Sequence, residues 1–561
     1  MNRRALLLLS LSLCGPAALA TPKDTLVYQI PSAIAALEPA QAVTGYDVLV
    51  VQQMYEALYR NEFGSYKPQL ATGYTQSKDG RVTTFTLRRG VRFHDGSSMT
   101  CMDAEYSLRR TLLVGNETSQ AAQIRASVLG IGGFTPEIRK TFTFAKLAST
   151  VKCNAAGQLV LTLDRNVPSL IDAVSQAYVV PMKALVAAGD WSGTARDFGA
   201  WVGKDVSNSA LTQKPSGTGA YTFVSRDPSR LIFRAFAGYW GGAPALKNVI
   251  LQKVDSDTAR VLAVQKGDAD IIAVPDRDTL ARLRGVAGVK VYETLPQQLQ
   301  SQVVTMVMFN QNIQDGGRLP AGQLAENNVP VNFFSDIHVR RAFAAAFDTQ
   351  TFVRDALQGK GLALNSSLPY SSWANDPALR PTAFNLKAAE AEFKLAFGGK
   401  LWTTGFTLPA ITITGQGLSE VVSGIIKQNI EAINPKFHVQ VTTGELSSLN
   451  ASLLGGKLTV VPLTWGGADP DTVLRGLYGS DGILSTALGI KDTRLQTLLD
   501  QGRDTVGQAA RKPIYRTILN YVGQQAYGFP LQVSQGFGAT AADLRGFEDF
   551  NKTNLFSRLS K

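Results

Sequence analysis

The stretch from Val249 to Val274 constrains the fold more tightly than composition does. Val249 to Val254 is made of strand formers, and Asp255 to Lys266 opens on helix-capping residues and stops at Gly267, where a left-handed position suits glycine. Asp270 to Val274 then runs as a continuous apolar strand. Strand, helix and strand joined by short turns favour a right-handed crossover onto a largely parallel pairing. The same alternation recurs along the chain. Thr25 to Ile30, Thr83 to Leu87, Tyr221 to Val224, Arg230 to Phe236, Val303 to Phe309, Ala410 to Thr414, His438 to Thr443 and Leu458 to Trp465 read as strands. Asp47 to Tyr59, a stretch from Thr100 to about Leu112, Val339 to Phe347, Thr351 to Leu357, Leu386 to Phe397 and Glu420 to Ile433 read as helices. The expected class is mixed α/β. Gln311 to Val331, rich in Gly, Pro and Asn, is expected as a surface excursion.

With 45% hydrophobic and 18% charged residues in 561, the chain is too apolar for disorder, and its 51 Gly and 24 Pro follow no collagen-like period. The length corresponds to about three or four core-sized units. Residues 1–20 stand apart: Arg3 and Arg4 are basic, Ala5 to Cys14 apolar, and Ala18-Leu19-Ala20 is a small-residue cleavage site. As a helix the apolar part would rise about 15 Å, half the ~30 Å of a bilayer core. A secretory signal cleaved after Ala20, and a periplasmic destination, are expected. Leu13 stands where lipoprotein processing prefers a small residue, which argues against acylation at Cys14.

The formal charge of +12 falls to +10 once the signal's two arginines are gone. The basic residues occur as isolated pairs, such as Arg88-Arg89 and Arg340-Arg341, without an aromatic-interleaved nucleic-acid module. A solvated basic surface is expected, with no nucleic acid as partner. Export leaves Cys101 and Cys153 in an oxidising compartment. They can bridge or remain two thiols; a bridge would be worth roughly 4 kcal/mol on the chain-entropy model.

Only His94, His338 and His438 are present, so HExxH is impossible, and neither CxxC, GxSxG nor a phosphate loop occurs. No catalytic residue, cofactor or protein-held metal is expected; a secreted hydrolase with unfamiliar local sequence is the remote alternative.

Thr84-Phe85-Thr86-Leu87-Arg88-Arg89-Gly90-Val91-Arg92-Phe93-His94-Asp95-Gly96, continued by Asp103-Ala104-Glu105-Tyr106-Ser107-Leu108-Arg109-Arg110, resembles the signature of the family 5 extracellular solute-binding proteins, the peptide and nickel class serving ABC importers. Pro215 to Tyr221, Tyr239 to Pro244, Gly267 to Ile271, Phe309-Asn310 and Val339 to Phe343 are similar to further blocks of that family in the same order. The resemblance implies a two-lobed periplasmic-binding-protein-like clamp (class II, three-domain cluster C type) with interleaved chain crossings. Residues 21–60, 179–296 and 528–561 would form lobe I, 61–178 its small accessory domain, and 297–527 lobe II. It further implies a periplasmic substrate-binding component of an ABC importer that closes about a hinge on a peptide or similar polar solute, works as a monomer and delivers its cargo to the permease's transmembrane subunits. A metal-chelate carrier of the nickel type, or another non-peptide carrier, is the alternative. Most signature residues, including Gly217, Gly219, Tyr239 and Trp240, are expected to be scaffold.

For the ligand the resemblance singles out Trp465, Gly466, Gly467, Ala468 and Asp469. In the family's W-x-x-D loop the indole lines the cavity, glycine admits ligand backbone, and the carboxylate receives a peptide's α-ammonium. Here the third residue after Trp465 is Ala468. Asp469 comes one place late, or two residues have been lost ahead of Asp469-Pro470-Asp471. Tyr46, following Leu37-Glu38-Pro39-Ala40, and Trp373 and Tyr370, in a Pro and Ser rich loop, are further candidate contacts.

Overall fold

A computed structural model of the protein describes residues 21–32, 36–42, 45–62, 65–116, 119–295, 303–362, 364–369, 372–413, 417–444, 452–467, 469–480 and 482–561. The expected signal, Tyr370 and Ala468 lie outside the described residues.

The strand-helix-strand unit forms as its sequence dictates. Ser256 caps the helix Asp257–Lys266 by accepting from the Ala259 N–H, and Gly267 ends it at φ 78°. The flanking strands, Asn248–Lys253 and Ile271–Ile272, both pair in parallel with Thr25–Ile30, one on each side. Beyond these three strands the sheet is antiparallel. The full sheet runs Val289–Leu295, Gly536–Ala541, Ile271–Ile272, Thr25–Ile30, Asn248–Lys253, Arg230–Ala235, Tyr221–Arg226. Its outer pairings are antiparallel; one of them, Tyr221–Arg226 with Arg230–Ala235, is joined by a turn too short for a parallel crossover.

The helix expected over Asp47 to Tyr59 is Gly45–Met54, and Tyr59 instead opens the strand Tyr59–Glu62. Crowding explains the early stop. The Gly219 N–H donates to the Met54 carbonyl at 2.9 Å. A Cβ on Gly217 would lie 2.2 Å from that same oxygen, and one on Gly219 would lie 2.4 Å from the Gln53 carbonyl.

A smaller antiparallel sheet orders Ala71–Gln76, Val82–Leu87, Leu159–Thr162 and Val151–Cys153. The helix Cys101–Leu113 packs on it, with the Asp103 carboxylate accepting from both the Thr100 N–H and its hydroxyl at 2.8 and 2.7 Å. Cys101 and Cys153 are joined by a disulfide, with Cα atoms 6.0 Å apart, tying the helix start to the edge strand.

Val303–Phe309 is the central strand of a separate antiparallel sheet, between Val460–Gly466 and Gly528–Pro530. Phe406–Ile413 and Phe437–Gly444 pair in parallel, and the helix Gly417–Ile433 connects and covers them. The largest hydrophobic core draws on residues between Leu26 and Leu295 and between Leu544 and Leu559. Two others lie wholly between Val304 and Leu531.

Candidate functional site

The blocks that carry the family resemblance converge on three buried carboxylates, Glu56, Glu38 and Asp190. Glu56, 1% exposed, accepts from Trp240 Nε1 at 2.7 Å, Thr218 Oγ1 at 2.8 Å, Tyr239 OH at 3.0 Å and Gln69 Nε2 at 3.1 Å. Burial pushes its pKa up while these four donors pull it down. Arg88 lies over the Trp240 ring at 4.0 Å. His94 Nε2 bonds the Gly219 carbonyl at 2.9 Å, and its Nδ1 accepts from the Gly217 N–H at 3.3 Å; burial lowers its pKa and keeps it neutral. Glu38 and Asp190 both grip Arg110, at 2.9 and 2.8 Å. These residues brace the loops against the large sheet.

Of the sequence-derived candidates, the structure brings Asp469 and Trp373 together through a residue that sequence reasoning missed. Asp469 is buried at the start of the helix Pro470–Tyr478, where its Oδ1 accepts from the Asp471 N–H at 2.9 Å. Arg511 donates to both of its oxygens, at 2.7 and 2.9 Å, to the Tyr515 hydroxyl at 2.6 Å and to the Gly502 carbonyl at 3.0 Å. Its guanidinium lies 5.2 Å from the centre of the Trp373 ring, which meets Tyr515 edge-on at 5.8 Å. Burial works against the Arg511 charge, and Asp469 and Tyr515 overcome it. Asp469 is thus a helix cap already matched by a cation.

Trp465 is half-buried. Its Nε1 donates to the Val473 carbonyl at 3.2 Å, and the indole lies against Gly476, where a Cβ would come within 2.5 Å of the ring. Gly466 ends the strand, opposite Val303, and Gly467 is half-buried beyond it. Tyr46 stands apart from this group, with Tyr28, Phe537 and Phe550 on a cavity of about 570 Å³ beside the large sheet. Burial raises the pKa of its hydroxyl.

Facing Asp469 across the seam are Asp172 and Tyr66, from the part of the chain that carries the small sheet. Asn61 Nδ2 donates to Asp172 Oδ1 at 3.2 Å. Burial, and then the charge of Asp469, push the Asp172 carboxyl up to about 6. Direct contact holds the seam nearby: Asn166 Nδ2 donates to the Arg503 carbonyl at 2.8 Å. Nearer the chain crossings, Gln358 Nε2 reaches Asp278 at 3.3 Å. Asp471, beside Asp469, is buried with its pKa raised by that burial, and Arg475 approaches it at 3.4 Å.

Arg511, Asp172 and Tyr66 escaped the sequence reading because Arg511-Lys512 reads as solvated charge and a tyrosine in a hairpin reads as packing. Asp172 alone carried a signal, as an acid inside the apolar run Leu170-Ile171-Asp172-Ala173-Val174.

The model of the bacterial extracellular solute-binding proteins, family 5 (middle), matches residues 65–485. Heme-binding protein A of Haemophilus influenzae is 22% identical over 537 residues, covering 93% of this chain and 90% of the relative. The dipeptide-binding protein of Escherichia coli is 22% identical over 495 residues, covering 85% and 83%. The crystal structure of the ABC transporter substrate-binding protein CtaP from Listeria monocytogenes superposes with a TM-score of 0.74 at 16% identity, covering 96% of this chain and 99% of that one.

Proposed function

Since the chain belongs to the bacterial extracellular solute-binding proteins of family 5, we propose that it captures a di- or oligopeptide in the seam between its halves and hands it to the transmembrane subunits of an ABC permease. The fold is the two-lobed clamp of periplasmic binding proteins, and members of this family are solute-binding proteins. In this reading residues 1–20 direct export and are cleaved after Ala20, and lobe I (21–60, 179–296, 528–561) carries the accessory domain 61–178. Residues 297–527 close against them, and the protein acts as a monomer without nucleic acid.

The observation that carries the proposal is the seam itself. Asp172, Asn61 and Tyr66 on one side meet Asp469, Arg511 and Trp373 on the other, in a region where separate cores approach and ionisable groups lie partly enclosed. A ligand touching both sides shifts the open-closed equilibrium by its differential affinity for the closed state. The dipeptide-binding relative supports a peptide cargo.

Calorimetry with di- to pentapeptides, paired with small-angle scattering, tests this. The expected result is saturable binding with a contraction of the scattering profile. No binding and an unchanged profile across the panel would refute the peptide reading.

A further inference from the structure

The cavity of about 570 Å³ beside Tyr46 is built differently from the seam around Asp469. The strand Thr25–Ile30 contributes Tyr28 to its wall, the helix Gly45–Met54 contributes Tyr46, the strand Gly536–Ala541 contributes Phe537, and the helix Phe547–Thr553 contributes Phe547 and Phe550. Five aromatic rings thus converge on one space of the size that suits a small ligand. Among the described residues, no Asp, Glu, Lys, Arg or His lines it. The polar groups on the wall are side-chain amides and two tyrosine hydroxyls, and burial raises the pKa of both hydroxyls and keeps them neutral.

Two cations close by are engaged with backbone. Arg260 donates to the Ala273 and Val254 carbonyls at 3.0 and 2.7 Å. Arg277, 4.8 Å from the centre of the Phe537 ring, donates to the Glu293 and Gln535 carbonyls at 3.1 and 2.7 Å.

The cavity also lies at a chain crossing. Gln535 lines it, and the Gln535 N–H donates to the Lys360 carbonyl at 3.1 Å, one residue past the pairing of Ser534 with Gly361. Lys360 and Gly361 belong to the 297–527 half, so both halves hold the strand that forms this wall. Side chains of the protein leave the space open. Gly45, Ala273, Gly536 and Gly538 stand along it, and a Cβ on Gly45 would meet no atom within 4 Å. Such a wall offers no partner to an incoming charge, which disfavours one, and favours a group that gains by leaving water.

We infer that this cavity receives a bulky, uncharged aromatic group of the cargo, so that the protein selects peptides carrying a phenylalanine-like side chain. The inference rests on the reading that the cargo is a peptide, and it names the side-chain class which that reading left open. A ring entering here meets other rings edge-on or offset, the arrangements aromatic pairs prefer.

Calorimetric affinities for tri-alanine, its three single-phenylalanine isomers and its three single-lysine isomers test this. At least one phenylalanine isomer is expected to bind about tenfold or more tighter than tri-alanine and than its own lysine counterpart. Gly45→Leu adds volume at an exposed lining position where nothing stands in the way, and Phe537→Ala removes one ring. Each should lower the preference for phenylalanine by about threefold or more. Melting of the empty variants shows that they are folded, and if one is not recovered the other decides.

Phenylalanine isomers that bind no tighter than tri-alanine or the lysine isomers, or a preference that either folded variant keeps in full, overturn the inference and leave the importer reading standing. A wild-type protein that binds none of the peptides overturns the peptide reading, and the inference falls with it.

Discussion

Replacing Arg511 by Met should be among the most damaging single changes in the half of the molecule that holds Asp469. The Arg511 and Asp469 side chains are 5% and 6% exposed. The substitution removes both bonds to the carboxylate, the bond to Tyr515 and the bond to the Gly502 carbonyl. Asp469 is left with the Asp471 N–H alone, opposite Asp172. Removing one partner of a buried ion pair costs about 3 to 5 kcal/mol, because the other charge remains enclosed without compensation. For a unit of this size each kcal/mol lowers the melting temperature by about 2–4 °C, so a fall of about 6–20 °C is expected in the corresponding calorimetric transition. Adding Asp469→Asn removes the stranded charge, and the double variant should regain more than half of the loss. A single variant within about 1 kcal/mol of wild type, or a double variant no better than the single one, would show that Asp469 is hydrated and that the pair contributes little.

Other consequences can be measured separately. Cys101→Ser with Cys153→Ser should cost roughly 4 kcal/mol on the chain-entropy model for a separation of 52 residues; urea unfolding of the oxidised protein against this variant reads it. Trp240→Phe removes one donor from the buried Glu56 and should cost about 1.5–3 kcal/mol without weakening peptide affinity, which melting and calorimetry together would check. The stability of the empty protein should respond to pH through Asp172. Its folded pKa is raised to about 6, above the unfolded value, so its favourable contribution is complete in acid and is lost as the pH rises through about 6. Asp172→Asn should remove that slope; an identical pH profile in wild type and variant would contradict the assignment.

Much of the fold was legible because local chemistry and tertiary structure agree. The strands Thr25–Ile30 and Val303–Phe309 and the helix ended by Gly267 are set by periodicity and capping, which act over a few residues. The helix Gly45–Met54 ends earlier than its local pattern predicts, since what stops it is backbone from Gly217 and Gly219, far along the chain. The antiparallel strand Gly536–Ala541 was not legible for the same kind of reason: it enters from the far end of the sequence, which no local pattern announces. At the seam, motif reading reached Asp469 and Trp373 but not Arg511, which sits on another helix and joins them. Charge partnership across elements has no sequence period. The blocks that made the family recognisable turned out to cluster around Glu56 and Arg110, where loops are braced.

Gly536–Ala541 also governs the order in which the large sheet can be finished. It slots between Val289–Leu295 and Ile271–Ile272, so until those late residues arrive, two neighbouring strands keep bare edges and the sheet stays split. A chain threaded outward from its N-terminus thus presents an open gap through most of its delivery. Such a gap is a template for any stray extended segment, and a short peptide copying Gly536–Ala541, supplied during refolding, should trap the molecule before its halves can assemble.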